Sequence, residues 1–335
     1  MMESVVPRPD TVTKLRYAAD AAFAMLAGMQ LDVFTPLKAG PQTAEEIAHA
    51  LGVSSTRLRL VLYSLAAAGL LIEEHGRFSN TPEADQFLVK GGPSYMGDWH
   101  AIFSNRWVRN LKIAESIRAG TPQAKLDFSK SPQEELEKYF RRINVLTVAA
   151  AQALLERYDF SSTRTLADVG CGAAGIAVTV TKACPHIQAT AIDLPQVAPI
   201  AQKIVDSEGA AGRVRVLAAD VLSGPLPGIY DTMVLRALLQ VLSPEDARLA
   251  VKNVAAAIKP GGRIYMIGHI LDDSRSSPPE ALGFNLSLIS QFDSGESYTE
   301  QEHRGWFSEA GFVDIERANF MLADEHGVMT ARKGE

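Results

Sequence analysis

The chain has only two cysteines in 335 residues, Cys171 and Cys184. They form no CxxC pair and no metal-ligand cluster, which argues against a disulfide framework and a structural zinc site. Basic residues are not in excess. Lys and Arg number 33 against 39 Asp and Glu, and the net charge of −6 suits neither nucleic acid nor an anionic membrane as a partner. No uncharged apolar run reaches the ~18 residues of a membrane span. The opening MMESVVPRPD has an acid and two prolines where a secretory signal would place basic residues and then an apolar run. These absences predict a protein of the reducing cytoplasm, without a metal, nucleic-acid or membrane partner. The length allows two globular units and a core that needs no disulfide staples.

The front of the chain reads as helical. Residues 11–35 carry an Ala, Leu, Met and Phe face. Thr43-Ala44-Glu45-Glu46 is a capping box, and the helix it starts carries Ile47, Ala50 and Leu51 and stops at Gly52. A second helix starts near Ser55 and stops near Gly69, and LLIEEHGRFSNTP follows as a hairpin turning at His75-Gly76. This is the outline of a winged helix-turn-helix. Its recognition helix would offer only Arg57 and Arg59 as cations, whereas reading a DNA groove requires a polar, basic face. Packing against other helices or a second subunit is the expectation. Residues 90–160 are helical again, and the domain boundary is expected near Ser161. That gives a helical, winged-helix-like unit over 1–160 and a second unit over 161–335.

From Thr165 the pattern changes. TLADVG reads as a buried parallel strand, Gly170-Cys171-Gly172-Ala173-Ala174-Gly175 as a glycine loop, and IAVTVTKACP as a helix. QATAIDLP, VRVLAADV, DTMVLRAL and GRIYMIGHI add strands with helical segments between them, which predicts an α/β, doubly wound, Rossmann-like sheet. Glycines allow a tight turn and close approach to a ligand, and the helix start offers free N–H groups. Asp193 stands where an acid would bind ribose hydroxyls. A nicotinamide and an S-adenosylmethionine (SAM) cofactor are both compatible so far.

Three features favour SAM. Asp168 lies just ahead of the glycine loop, suited to a cationic ligand; Asp220 ends the third strand, where a carboxylate can accept from an adenine amino group; Lys259-Pro260-Gly261-Gly262 breaks a helix before a strand. At this point the chain resembles the class I SAM-dependent methyltransferases. More specifically, it is similar to the two-domain caffeate-type and hydroxyindole-type O-methyltransferases with an N-terminal dimerisation domain. TAEEIAHALGV, RYDFSSTRTLADVGCGAAG, AIDLPQV, AADV, KPGGRIYMI and YTEQEHRGWFSEAGF carry the likeness over nearly the whole chain. The resemblance implies a homodimer whose front unit also covers the substrate. It implies SAM as cofactor, with S-adenosylhomocysteine (SAH) as product. Gly170, Gly172 and Gly175 would pass the methionine moiety, with Asp168 at the base of the loop. Asp193 and Leu194 would serve the ribose, Asp220 and Val221 the adenine edge, and Arg236 the cofactor rim. Phe140 would set a ring face near the sulfonium.

The sequence also departs from this family. Members that methylate phenols carry a His after the fourth strand; here Leu235–Leu242 reads LRALLQVL, with Gln240 in the place of the general base. An amide takes no proton at neutral pH, whereas a phenol of pKa near 10 profits from a positioned base. His269, at the end of the fifth strand, and His100, in YMGDWHAIFSNRW, are replacement bases. His303, inside the helix capped by Thr299 and Glu302, is expected at the surface, and His186 in solvent. Glu296 roughly matches a glutamate that flanks the family's catalytic base. The other branch is an acceptor with no proton to lose. A thioether sulfur requires only in-line positioning and desolvation, and some bacterial members look like S-methyltransferases of 4-methylthio-2-hydroxybutyrate, on the route to dimethylsulfoniopropionate. A carboxylate on such an acceptor would want an arginine clamp, for which Arg106, Arg141 and Arg142 are at hand. Trp107 and Asn285 complete the expected acceptor side. The sequence thus favours thioether methylation, against O-methylation with His269 or His100 as base, and against a SAM-binding regulator that does not methylate.

Overall fold

The computed structural model describes residues 7–92, 94–125, 127–128, 130–319 and 325–335. The first six residues of MMESVVPRPD lie outside them. The chain divides into two compact units, one ending at Asn105 and one beginning at Arg106.

The first unit opens with α1 (Asp10–Leu31) and continues through β1 (Gln42–Thr43), α2 (Ala44–Leu51), α3 (Ser55–Ala67), β2 (Leu71–Glu74), β3 (Arg77–Asn80) and α4 (Pro82–Phe87). The capping box forms as the sequence predicts: Thr43 Oγ1 accepts from Glu46 N at 3.2 Å, and Glu46 accepts from Thr43 N at 2.7 Å. Gly52, at φ 68°, closes α2 in the left-handed region. In the hairpin Glu74 faces Arg77, and His75 and Gly76 turn at φ 53° and 79°, the signature of a tight turn that matches strand twist. Phe34, Ile47, Leu62, Leu65 and Phe78 are buried in its core. Val12, Leu15, Tyr17 and Phe23 of α1 stay exposed, as do Leu60 and Tyr63 of α3. No helix among the described residues is long and apolar enough to cross a membrane.

The helix α5 (His100–Asn110) contains the division between the units, and α6 (Ile113–Ala119) and α7 (Gln133–Arg157) follow. The division comes earlier in the chain than the expected Ser161. The physical reason is α7: its Ala150, Ala151 and Leu154 share one buried cluster with Leu166, Ile176 and Ala177 of the sheet unit.

The sheet unit then alternates as β4 (Thr165–Val169), α8 (Gly175–Ala183), β5 (Gln188–Asp193), α9 (Ala198–Ser207), β6 (Val214–Ala218), β7 (Tyr230–Arg236), α10 (Pro244–Ala255) and β8 (Ile258–Ile267). It ends with α11 (Pro279–Gln291), α12 (Glu300–Glu309), β9 (Phe312–Ala318) and β10 (Val328–Lys333). Among the described residues the sheet has seven strands in the order β6-β5-β4-β7-β8-β10-β9. The first five are parallel, as the sequence predicts. β10 runs antiparallel to both β8 and β9, so the sheet is mixed. The Lys259-Pro260-Gly261-Gly262 segment lies inside the start of β8 rather than before it. Side chains alternate between two buried faces: Met233 and Leu235 of β7 join the cluster with α10 and α12, while Val234 joins the one with α7 and α8.

Candidate active site

The order of winding reverses between β4 and β7, the crevice in which doubly wound sheets take ligands. Asp168 and the glycine loop, Asp193, Arg236 with Gln240, and His269 all stand in or just beyond the carboxyl ends of β4, β5, β7 and β8. Ala174 and Ala237, neither of them glycine, take positive φ of 60° and 54° beside the same strand ends. Such backbone strain collects at functional sites.

Gly170 and Gly172 turn out of β4 at φ 70° and 56°. The N–H groups of Gly170 and Cys171 donate to the Ile192 carbonyl at 2.9 and 3.1 Å, which ties the loop to β5. A Cβ on Gly172 would stand 3.0 Å from the Phe140 ring, and one on Gly175 2.4 Å from Asn144 Oδ1. The missing side chains therefore let α7 lie directly on the loop. Asp193 accepts from Gly172 N at 2.7 Å and from Leu194 N at 2.8 Å. Asp168 is buried and accepts from Ala177 N at 3.1 Å. Burial pushes the Asp168 carboxyl up to about 7 and that of Asp193 up to about 6. Neither acid has a salt bridge among those of the described residues. Asn144 Oδ1 is buried on the same loop without a hydrogen-bond partner. Two desolvated acids and a spare carbonyl oxygen beside a glycine loop fit a cationic cofactor such as SAM. No cluster of metal-ligating side chains occurs among the described residues.

Farther along the edge, Asp220 accepts from Leu222 N at 2.9 Å and from Ser223 Oγ at 3.2 Å, so it closes its own turn. The Val221 side chain is buried and its carbonyl accepts from Asn253 Nδ2 at 2.7 Å. Arg236 is nearly buried. It forms an ion pair with Glu325 and donates to Thr147 Oγ1 at 3.1 Å, which places its charge against α7.

Gln240 is buried, and its Oε1 accepts from the backbone N–H of His269 at 3.0 Å. This bond fixes which end of the amide is which, because the reversed amide would set N–H against N–H. Gln240 Nε2 is then a buried donor without a protein partner. The His269 ring is buried and stacks on Phe284 of α11, with centroids 4.2 Å apart. Glu296 pairs with Arg275 at 2.5 Å. Asn285 Oδ1 accepts from Ser297 N at 2.6 Å and braces that loop.

Of the expected clamp, Arg106 lies over the Phe284 ring at 5.9 Å. Arg141 pairs with Glu137 at 2.9 Å, and Arg142 is exposed on α7. Trp107 is half-buried on α5. His100 opens α5, in the first unit, with its Nδ1 buried and without a partner. His186 is exposed, as expected. His303 is a correction. It is buried among Tyr298 and Trp306, with Nδ1 2.8 Å from the Thr299 carbonyl, and burial pulls it down to about 4. The capping box gave its helix start correctly but not which face turns inward.

Sequence reasoning missed Arg109, Asn144 and Gln291. Arg109 Nη1 donates to Gln291 Oε1 at 2.8 Å, and its guanidinium lies 6.0 Å from the centre of the Tyr139 ring. The available signal was spacing: Phe140, Asn144 and Thr147 fall on one helix face, as do Arg106 and Arg109.

Comparison with known proteins identifies the family. The profile of the O-methyltransferase domain matches residues 117–313. That of the O-methyltransferase dimerisation domain matches residues 18–90. The chain is 26% identical over 330 residues to the 3-hydroxy-5-methyl-1-naphthoate 3-O-methyltransferase of Streptomyces sahachiroi, covering 97% of this chain and 95% of that one. It is 25% identical over 316 residues to the tetracenomycin polyketide synthesis 8-O-methyl transferase TcmO of Streptomyces glaucescens, covering 92% of each. The fold matches human N-acetylserotonin methyltransferase in complex with SAM at a TM-score of 0.79, with 20% identity over the whole of both chains.

Proposed function

Because the chain belongs to the O-methyltransferase domain family and is a SAM-dependent methyltransferase, we propose that it methylates a small molecule whose nucleophilic atom reaches the site with no proton left to remove. The observation that carries this reading is Gln240, an amide whose oxygen is occupied and whose Nε2 is a buried, unmatched donor. A donor at that place stabilises an anionic oxygen and cannot deprotonate one. Bound SAM supplies an electrophilic methyl group on a sulfonium. Gly170, Gly172 and Gly175 admit its methionine portion, and Asp168 and Asp193 offer the negative charge that a cation requires. Leu194, Asp220 and Val221 frame the ribose and adenine side. Phe140 presents its ring to the sulfonium. Arg236, neutralised by Glu325, braces α7 against the sheet. Catalysis then consists of holding the acceptor in line and excluding water.

The first reading of the acceptor is the ionised hydroxyl of an acidic aromatic compound, in accord with the oxygen acceptors in the names of the two Streptomyces relatives. His269, stacked on Phe284, forms one wall of its site. A thioether acid such as 4-methylthio-2-hydroxybutyrate, leading to dimethylsulfoniopropionate, is the second reading. The absence of a base at Gln240 is compatible with it, but the Gln240 Nε2 donor finds only a weak acceptor in a thioether sulfur, and neither of those two names supports it. SAH release measured with phenols of low pKa, ionised at the assay pH, in one assay and the thioether acid in another tests both. Product from phenols alone retains the first reading, and product from the thioether acid alone replaces it by the second. Failure of SAM to bind would remove the methyltransferase reading altogether. We further propose a homodimer formed through the unit that holds residues 18–90, where α1 carries exposed apolar side chains. Two free cysteines suit the cytoplasm.

A further inference from the structure

Resting on that reading, we infer that Arg109 is the anchor for a carboxylate on the methyl acceptor, so that the substrate is a flat hydroxy acid rather than a neutral phenol. Two helices, α5 and α11, meet through long side chains. On α5, Arg106 and Arg109 are three residues apart; on α11, Phe284, Ser287 and Gln291 recur at helical spacing. Arg106 meets Phe284 at 5.9 Å and Arg109 meets Gln291 at 2.8 Å, and these two contacts form a seam between the helices. One end of the seam reaches the reaction centre, because Phe284 stacks on His269, whose backbone N–H is held by Gln240. The other end reaches Tyr139, which packs edge-on against Phe140 at 5.2 Å, and Phe140 touches the glycine loop.

Arg109 is half-buried here, yet its hydrogen-bond partner is the neutral Gln291 amide and no acid pairs with it among the described residues. Gln291 turns its own Nε2 to the Ser287 carbonyl at 3.0 Å, which fixes its oxygen toward Arg109 and leaves the rest of the guanidinium fork available. Ser287 is buried with its hydroxyl unpartnered, a second donor on the same seam. Besides burial, Arg109 feels the Tyr139 side chain, which favours its charge, and Arg142, which opposes it; the charges around Tyr139 are Arg109, Arg236 and Arg106. Burial draws the Arg109 pKa down, a cost that an anion beside it would offset. A planar fork beside an aromatic wall matches a carboxylate attached to a ring.

The test is calorimetric binding to the SAH-loaded protein, with 3-hydroxy-2-naphthoate and 2-naphthol as probes that share a ring system and differ by the carboxylate. The naphthoate is expected to bind about tenfold or more tightly than the naphthol. Arg109→Gln should abolish that difference by weakening the acid alone, and Arg109→Lys, which keeps the charge without the fork, should fall between. Equal affinity of the wild-type protein for both probes, failure of the naphthoate to bind, or an Arg109→Gln protein that holds the acid as before would each overturn the inference. So would a loss of both probes together in a variant that still binds SAH. SAH binding itself is the separate measure of the methyltransferase reading: if it stands while the probes fail, only the carboxylate anchor falls.

Discussion

The amide oxygen of Gln240 accepts the backbone N–H of His269 at 3.0 Å, and this contact joins the segment after β7 to the segment after β8. It gives Gln240 a structural task and a fixed donor, in place of the proton-accepting task that a histidine would have there. Gln240→Ala should therefore keep turnover within about tenfold, because a positioned base is worth about 10²–10⁴ in rate and none is being removed. It should also cost about 1–3 kcal/mol in stability, since the His269 N–H is left buried and unmatched. Denaturation midpoints and kcat for the same variant check both halves. A loss of rate beyond about a thousandfold in a folded protein would return Gln240 to the chemistry.

SAM affinity should depend on pH through the two buried acids. With Asp168 near 7 and Asp193 near 6 in the free protein, both carry protons below about pH 6, and a cationic ligand must displace them to bind. Affinity should then fall as the pH drops from 8 to 5.5. Asp193→Asn should bind more weakly at pH 8 and show a shallower fall. A titration in which wild-type affinity is level across this range would contradict the role of these acids.

Gly172→Ala should weaken SAH binding by about tenfold or more without unfolding the protein. Its φ of 56° disfavours any side chain, and the new Cβ would meet Phe140 at 3.0 Å. Calorimetry with SAH reads the effect. Unchanged affinity would mean that the loop has room to spare.

His303 should make the fold sensitive to acid. Its pKa is depressed in the folded protein, from 6.5 to about 4, so its contribution is fully present above pH 6.5 and is lost as the pH falls from there toward 4. The full loss amounts to about 3 kcal/mol. His303→Gln should flatten the decline of the melting temperature between pH 7 and 5. A variant that loses stability with pH as steeply as the wild type would assign the acid limb to other groups.

The proposed dimer would bury the exposed apolar face of α1. Changing Leu15 and Phe23, 68% and 58% exposed, to Asp together should yield a monomer by light scattering with SAH binding retained. A wild-type protein that is already monomeric at micromolar concentration would refute the proposal.

By itself the sequence determined the features that depend on neighbours a few residues away. The capping boxes at Thr43 and Thr299, the turn at His75-Gly76 and the strand-to-loop passage at Gly170 all follow from hydrogen bonds and dihedral freedom within one turn of chain. It also determined the five parallel strands, because a strand buried on both faces must be a short apolar run. The antiparallel strand β9, FVDIERA, carried no such run: it is half exposed and keeps its charges. Which face of a helix turns inward, and which side chains meet across the chain, only the tertiary structure decided. His303 became a buried base between Tyr298 and Trp306, Glu296 paired with Arg275, and Arg109 met Gln291 across 182 positions. The physical reason is that the energy of a buried polar group is set by its partners, and those partners are chosen when the layers pack.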